Sequence, residues 1–277
     1  MADTAFQTQY RDEFIAGFEQ RQSLVRDTVT TEGEVKGNQI VFLVADSGGA
    51  SAVTRGVNGL IPARADNLTQ NTATLAEWHD LVRRTGFNLY ASQGDGRRIM
   101  QETTMGVLNR KIDQDIIAQL NTGTVDTGAA ATGSLALIMK ALAILGNNDV
   151  PLDGDVYGLI TPALHAYLMQ VPSFSSVDYV NNKPFAGGGL TRYRWANVNF
   201  IVHPNLPGAA TNAEKCFIYH KSAIGHGCDM SRIATAAGYD EEQDYSFARA
   251  SAYMGSKLLQ DNGIVVVNHD GSAYAAS

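Results

Sequence analysis

Three side chains with metal-binding donors crowd one short segment, His220, His226 and Cys228. Imidazole and thiolate suit zinc, but a structural site takes four ligands and a catalytic one takes three plus water, and this spacing matches no zinc finger. Ordinary surface and loop histidines are the simpler reading, so no metal is expected. Cys216 sits beside Phe217 in an apolar run with no His and acid in a recognisable arrangement, which reads as a small buried residue rather than a nucleophile. Gly187-Gly188-Gly189 is followed by Leu190-Thr191-Arg192 and lacks the Lys-Ser/Thr ending of a phosphate-binding loop, so a flexible loop is expected there. Asp240-Glu241-Glu242-Gln243-Asp244 has the donors for a cation, yet acidic runs are usually solvated faces. Their other use is to meet Arg or Lys on a neighbouring molecule, which makes Glu241 and Glu242 candidate contacts.

A second set of charges falls in a helical pattern. Arg110 with Asp113 and Lys111 with Asp115 stand three and four apart, the spacing at which opposite charges support a helix. Trp78, Arg83 and Arg84 are of the types that anchor protein interfaces when exposed. The competing reading is that they pack on the chain's own helix. No nucleophile, base and orienter come together anywhere, so neither catalysis nor a cofactor is expected.

The elements that position these residues belong to a chain of 277 residues, 44% hydrophobic and 18% charged, a globular rather than disordered composition. The longest apolar stretch, around Leu135 to Leu145, is broken by Lys140 and falls short of a membrane span. The N-terminus has no basic region followed by an apolar core, so a cytoplasmic origin is expected. Cys216 and Cys228 are too few for a disulfide framework. A net charge of -7 argues against a dedicated nucleic-acid binder.

Residues 5 to 27 have the spacing of an imperfect amphipathic helix. Val35 and Ile40 to Val44 read as strands, with Ser47 to Ser51 as the turn of a hairpin. From Ala52 to Thr85 the chain reads as a long, extended, polar excursion, the kind of loop that is functional or held by partners. Met105, Leu108, Ile112, Ile116 and Leu120 mark one stripe of a helix over about 96–120, on the order of 35 Å long. Ser134 can cap a helix over 135–145. Val156 to Ile160 reads as a buried strand feeding a helix from Thr161-Pro162 to Met169. Asn181 to Leu190 reads as a loop. Val198 to Val202 and Cys216 to Tyr219 read as strands. Tyr245 to Leu259 and Gly263 to Val267 read as a closing hairpin around Gln260-Asp261-Asn262-Gly263.

This order of elements resembles the Hong Kong 97-type fold of tailed-phage major capsid proteins. Leu108-Asn109-Arg110-Lys111-Ile112-Asp113-Gln114-Asp115-Ile116-Ile117-Ala118-Gln119-Leu120 is similar to the spine-helix pattern of one large family of phage capsid proteins. Val35 to Phe42 resembles the start of that family's hairpin, Tyr157 to Pro162 its strand into helix, and Phe217 to Gly225 its late strand and turn. The resemblance implies an α+β fold with an N-terminal arm over 1–34, an E-loop β-hairpin excursion over 35–86 and a P-domain with its spine helix over 87–133. It implies an A-domain mainly over 134–244 and closing P-domain strands over 245–277.

Implied with it are a virion localisation, assembly in a host bacterial cytoplasm, and hexamers and pentamers of the same chain. A portal, a decoration protein and packaged double-stranded DNA touched weakly on the inner face are the implied partners. Residues 1–34 are too short for a fused scaffolding domain, which implies a separate scaffolding protein. The family's crosslinking members use an E-loop lysine, and residues 37 to 109 contain none, so no covalent mesh is expected. An encapsulin-type compartment has the same fold and is the alternative, with a tail component or a soluble enzyme behind it.

Overall fold

The computed structural model describes residues 22–31, 33–47, 49–64, 67–85, 96–171, 192–229 and 234–274. In chain order the elements are β1 (Glu34–Lys36), β2 (Gln39–Asp46), β3 (Asn67–Thr74), β4 (Ala76–Thr85), α1 (Gly96–Leu120), β5 (Ala131–Thr132) and α2 (Leu135–Asn147). They continue with β6 (Val156–Ile160), α3 (Pro162–Met169), β7 (Arg192–Trp195), β8 (Val198–Val202), β9 (Glu214–His220), β10 (Ile224–Cys228), β11 (Ala234–Asp240), β12 (Tyr245–Leu258) and β13 (Ile264–Asp270). The chain divides into two compact units, one with Ala76–Gln114 and Cys228–Met254, the other with Leu24–Leu75, Asp115–Gly227 and Gly255–Ser277.

The first unit is an antiparallel sheet with β12 between β4 and β11, in register from Thr85↔Tyr245 to Ala76↔Met254 and from Ala234↔Ser251 to Asp240↔Tyr245. Alternation along β12 buries Ala248, Ala250 and Ala252 on one face. Such small side chains leave room for the larger Leu108 and Trp78 packed with them.

In the second unit six strands run in the order β5-β13-β9-β6-β8-β7. β6 and β8 are parallel, which requires a crossover, and α3 lies in it. Thr161 caps α3 by accepting the Leu164 N–H at 3.2 Å, with proline at the first turn. Ser134 caps α2 by accepting the Leu137 N–H at 3.3 Å. The middle strands are apolar on both faces, as a covered sheet demands. Leu159, Ile160, Cys216, Phe217, Ile218, Ile264, Val265 and Val267 are fully buried.

The helix expected over 96–120 is α1, and its stripe is buried at Leu108, Ile112, Ile116 and Leu120, while Met105 is exposed. Several expectations are corrected. The tight turn of the first hairpin is Gly37-Asn38, with Gly37 at φ 64°, where no Cβ obstructs the left-handed conformation. Ser47 to Ser51 instead opens a long loop, and β2 finds a second partner beyond it in β3, from Gln39↔Thr74 to Asp46↔Asn67. Residues 67–85 are extended as expected but divide their pairing, β3 with β2 and β4 with the distant β12. The closing hairpin does not form. β13 pairs with β9 and β5, and β12 with β4, β10 and β11. Asp261–Gly263 is a 3-10 turn, and the Asp261 carboxylate anchors it to the N–H and hydroxyl of Thr124. The loop expected over 181–190 lies outside the described residues, as does most of the expected first helix. From Leu24 on, that segment belongs to the second unit, with Val25, Thr28 and Val29 buried and the Thr28 hydroxyl 2.5 Å from that of Tyr219.

Candidate assembly surfaces

His220, His226, Cys228 and Cys216 are each engaged within the fold. Ser222 N–H donates to His220 Nδ1 at 3.2 Å, which leaves Nε2–H to face Asp153 at 3.3 Å. That contact and the Asp155 N–H, the larger cause, hold the Asp153 carboxyl below its ordinary range. The Ser256 hydroxyl donates to Asp115 at 2.6 Å and lies 2.8 Å from His226 Nδ1. With its single proton given to Asp115, Ser256 must accept from His226 Nδ1–H. Cys228 packs with Leu108, Ala250 and Ala252. The segment that looked like a ligand cluster therefore serves three separate structural contacts.

Cys216 is fully buried, and burial pushes its thiol up to about 12, so it stays protonated at neutral pH. Beside it lies a constellation that no spacing along the chain reveals. Glu214, 1% exposed, accepts the Thr161 hydroxyl at 2.6 Å and the Ala210 N–H at 2.6 Å, and its carboxylate is 3.8 Å from Nε2 of the buried His269. A buried carboxylate is costly unless it is well bonded. Here it ties the start of α3, the turns before β9 and strand β13 to one another.

The candidate interface residues separate into two groups. Trp78 was expected to be an exposed anchor, but it is half-buried, with the Lys111 ammonium 3.9 Å from its ring centroid. Lys111 is therefore not paired with Asp115, which takes Ser256. Asp113 is 1% exposed and accepts the Ser23 hydroxyl at 2.5 Å. Arg110 is half-buried on the same helix. Arg83 lies 4.8 Å from the Tyr245 ring centroid, and Arg84 is half-buried on β4. Glu241 and Glu242 remain exposed in the β11–β12 turn. Asp240 shapes that turn by accepting the N–H groups of Glu242 and Gln243 at 3.0 and 3.2 Å.

Among the described residues, the most exposed large apolar side chains lie elsewhere, on the β2–β3 hairpin and its loop. Ile40, Phe42 and Ala73 form a buried root with Leu75 and Leu259. Farther out, Leu43 and Leu68 are 82% and 77% exposed and share one face of the hairpin by register. The loop adds exposed Val53, Val57, Leu60 and Ile61. Isolated apolar residues in a polar stretch are common, so only their convergence on one protrusion marks them out.

A mixed six-stranded sheet, an antiparallel sheet with a long spine helix and a hairpin carrying unburied apolar residues define a Hong Kong 97-type shell protein. Among solved structures the chain is similar to one from Mycobacterium phage Che8, at 18% identity with a TM-score of 0.76, covering 96% of this chain and 98% of that one. It is also similar to the capsid of Cyanophage P-SCSP1u, at 15% identity and TM-score 0.72, over 96% and 93% of the two chains. The capsid of Ralstonia phage GP4 matches at 11% identity and TM-score 0.70, over 97% and 96%. No curated protein matches the sequence. The phage capsid protein family matches residues 2–271, and the chain belongs to it. It is a capsid protein of the virion. Among the described residues no helix is long and apolar enough to cross a membrane.

Proposed function

We propose that this chain is the major, non-enzymatic subunit of an icosahedral head enclosing double-stranded DNA, built from hexamers and pentamers of itself. The exposed apolar hairpin carries the reading. β1, β2 and β3 pair over a buried root, but Leu43, Leu68 and the loop residues have nothing to cover them within the described chain. Burial on another copy supplies the cover and couples folding of the hairpin to assembly. The five segments 1–34, 35–86, 87–133, 134–244 and 245–277 then act as arm, E-loop, P-domain, A-domain and closing strands. A separate scaffolding protein and a portal are its partners in building the head, with DNA touched weakly on the inner face.

With no lysine in residues 37 to 109, the contacts are non-covalent. Negative-stain microscopy of the full chain should show closed shells, and boiling them in SDS should release monomers of 29.7 kDa. A monomer that never assembles would overturn the function, and a ladder of covalent multimers the absence of crosslinks.

A further inference from the structure

Asparagine is followed directly by glycine at Asn58-Gly59, in the long loop, and at Asn262-Gly263, just before β13. Such a pair can modify itself, because glycine has no Cβ to keep its backbone nitrogen away from the preceding side chain. Both asparagines are exposed. What separates the two pairs is the freedom of the peptide that joins each of them.

Asn262-Gly263 is fixed from several sides. Asp261 accepts the N–H and hydroxyl of Thr124, the Asn262 carbonyl accepts Asn148 Nδ2–H at 3.2 Å, and the Gly263 N–H donates to the Gln260 carbonyl at 3.2 Å. Gly263 itself is buried, and a Cβ there would come within 2.9 Å of Ala223. Around Asn58 the turn is tied only to itself among the described residues. The Gly56 N–H donates to the Leu60 carbonyl at 3.0 Å and the Gly59 N–H to the Gly56 carbonyl at 2.8 Å. The Asn58 amide has no hydrogen bond among the described residues, and a Cβ on Gly59 would meet nothing within 4 Å.

We propose that Asn58 is a site of spontaneous modification, in which the Gly59 backbone nitrogen attacks Asn58 Cγ and a five-membered succinimide ring closes. The new bond joins that nitrogen to Cγ, the Cγ–Nδ2 bond breaks, and the nitrogen's proton leaves with the amide as ammonia. Water then opens the ring at either carbonyl, leaving aspartate or isoaspartate at position 58. Attack requires the Gly59 hydrogen bond to open, and an exposed bond of that kind slows the step only about fivefold. At Asn262 the nitrogen cannot swing toward Cγ without moving the start of β13, and a misplaced reacting group costs roughly a hundredfold. The loop over 47–64 has Arg55 and Arg64 as its charged residues, so each conversion takes it from two positive charges to a net one. The loop therefore ages toward lower positive charge with no enzyme acting on it, and this holds whether or not the chain forms shells.

Peptide mapping by mass spectrometry of the unassembled full chain, incubated at pH 8, tests the proposal. The peptide with Asn58 should show the amide-to-acid mass change at least tenfold faster than the peptide with Asn262. In denaturant, where neither turn survives, the two rates should lie within about threefold of one another. Asn58→Gln should abolish the change at that position, since the longer side chain does not close a five-membered ring. Equal rates at the two positions in the folded chain would overturn the proposal. So would an Asn58 that converts only once denaturant is added.

Discussion

β2 and β9 are similar runs of sequence with different fates. Gln39-Ile-Val-Phe-Leu-Val-Ala-Asp46 and Glu214-Lys-Cys-Phe-Ile-Tyr-His220 are both apolar and rich in β-branched and aromatic residues. β9 has β6 on one side and β13 on the other and is buried along nearly its whole length. β2 is buried only from Ile40 to Phe42, then runs out into solvent at Leu43. Local propensity made both of them strands. What stands on either side decided which is core and which is left to be covered by another molecule.

The contrast can be broken from either end. Phe217→Ala should cost about 3–5 kcal/mol, because a fully buried ring leaves a cavity in a sheet covered on both faces. Chemical denaturation of the unassembled subunit reads this directly, and a cost under about 1 kcal/mol would show β9 to be less of a core than its burial implies. Leu43→Asp with Leu68→Asp should act the other way round. Subunit stability should change by less than about 0.5 kcal/mol, as for exposed sites, while the yield of closed particles falls by roughly tenfold or more, equivalent to about 1.4 kcal/mol of lost association. Unfolding of that variant would mean that the outer hairpin is held by its own chain. The smallest effect concerns the thiols. Burial pushes Cys216 up to about 12, so at pH 8 a disulfide reagent should label Cys228 and leave Cys216 untouched until denaturant is added. Equal labelling rates would show that the β9 core opens freely.

Much of the second unit was legible because its strands are continuous apolar runs and its helices carry explicit caps. Val156 to Ile160, Val198 to Val202, Ser134 and Thr161 all stand where their types imply. The spine helix was legible from its three-and-four spacing. β3 and β11 were not, since Asn-Leu-Thr-Gln-Asn-Thr-Ala-Thr and Ala-Thr-Ala-Ala-Gly-Tyr-Asp lack a hydrophobic signal and become strands only through their partners. Pairing was the hardest part. Asn262-Gly263 invites a hairpin, but β13 has β9 to complete, and a long-range partner outweighed the local turn preference. For the assembly surfaces, charge and aromatic type drew attention to Trp78 and Lys111, which pack on one another, and away from single leucines whose exposure depends on where the hairpin goes. Glu214 and His269 are far apart in sequence, and only the pairing of β9 with β13 makes them neighbours.

The root of the hairpin has a mechanical consequence. A Cβ on Gly225 would come within 2.7 Å of the Phe42 ring, and one on Gly227 or Gly33 within 2.2 or 2.3 Å of Ile40, so a side chain at any of these positions would push Phe42 or Ile40 out of its seat. Phe42 and Ile40 are thereby seated directly on backbone, with no flexible side chain between to give way. A beam clamped like this cannot pivot at its base. Force applied to the hairpin beyond Leu43 is carried through Phe42 and Ile40 into the backbone of β10, which makes the hairpin a stiff spring rather than a hinge.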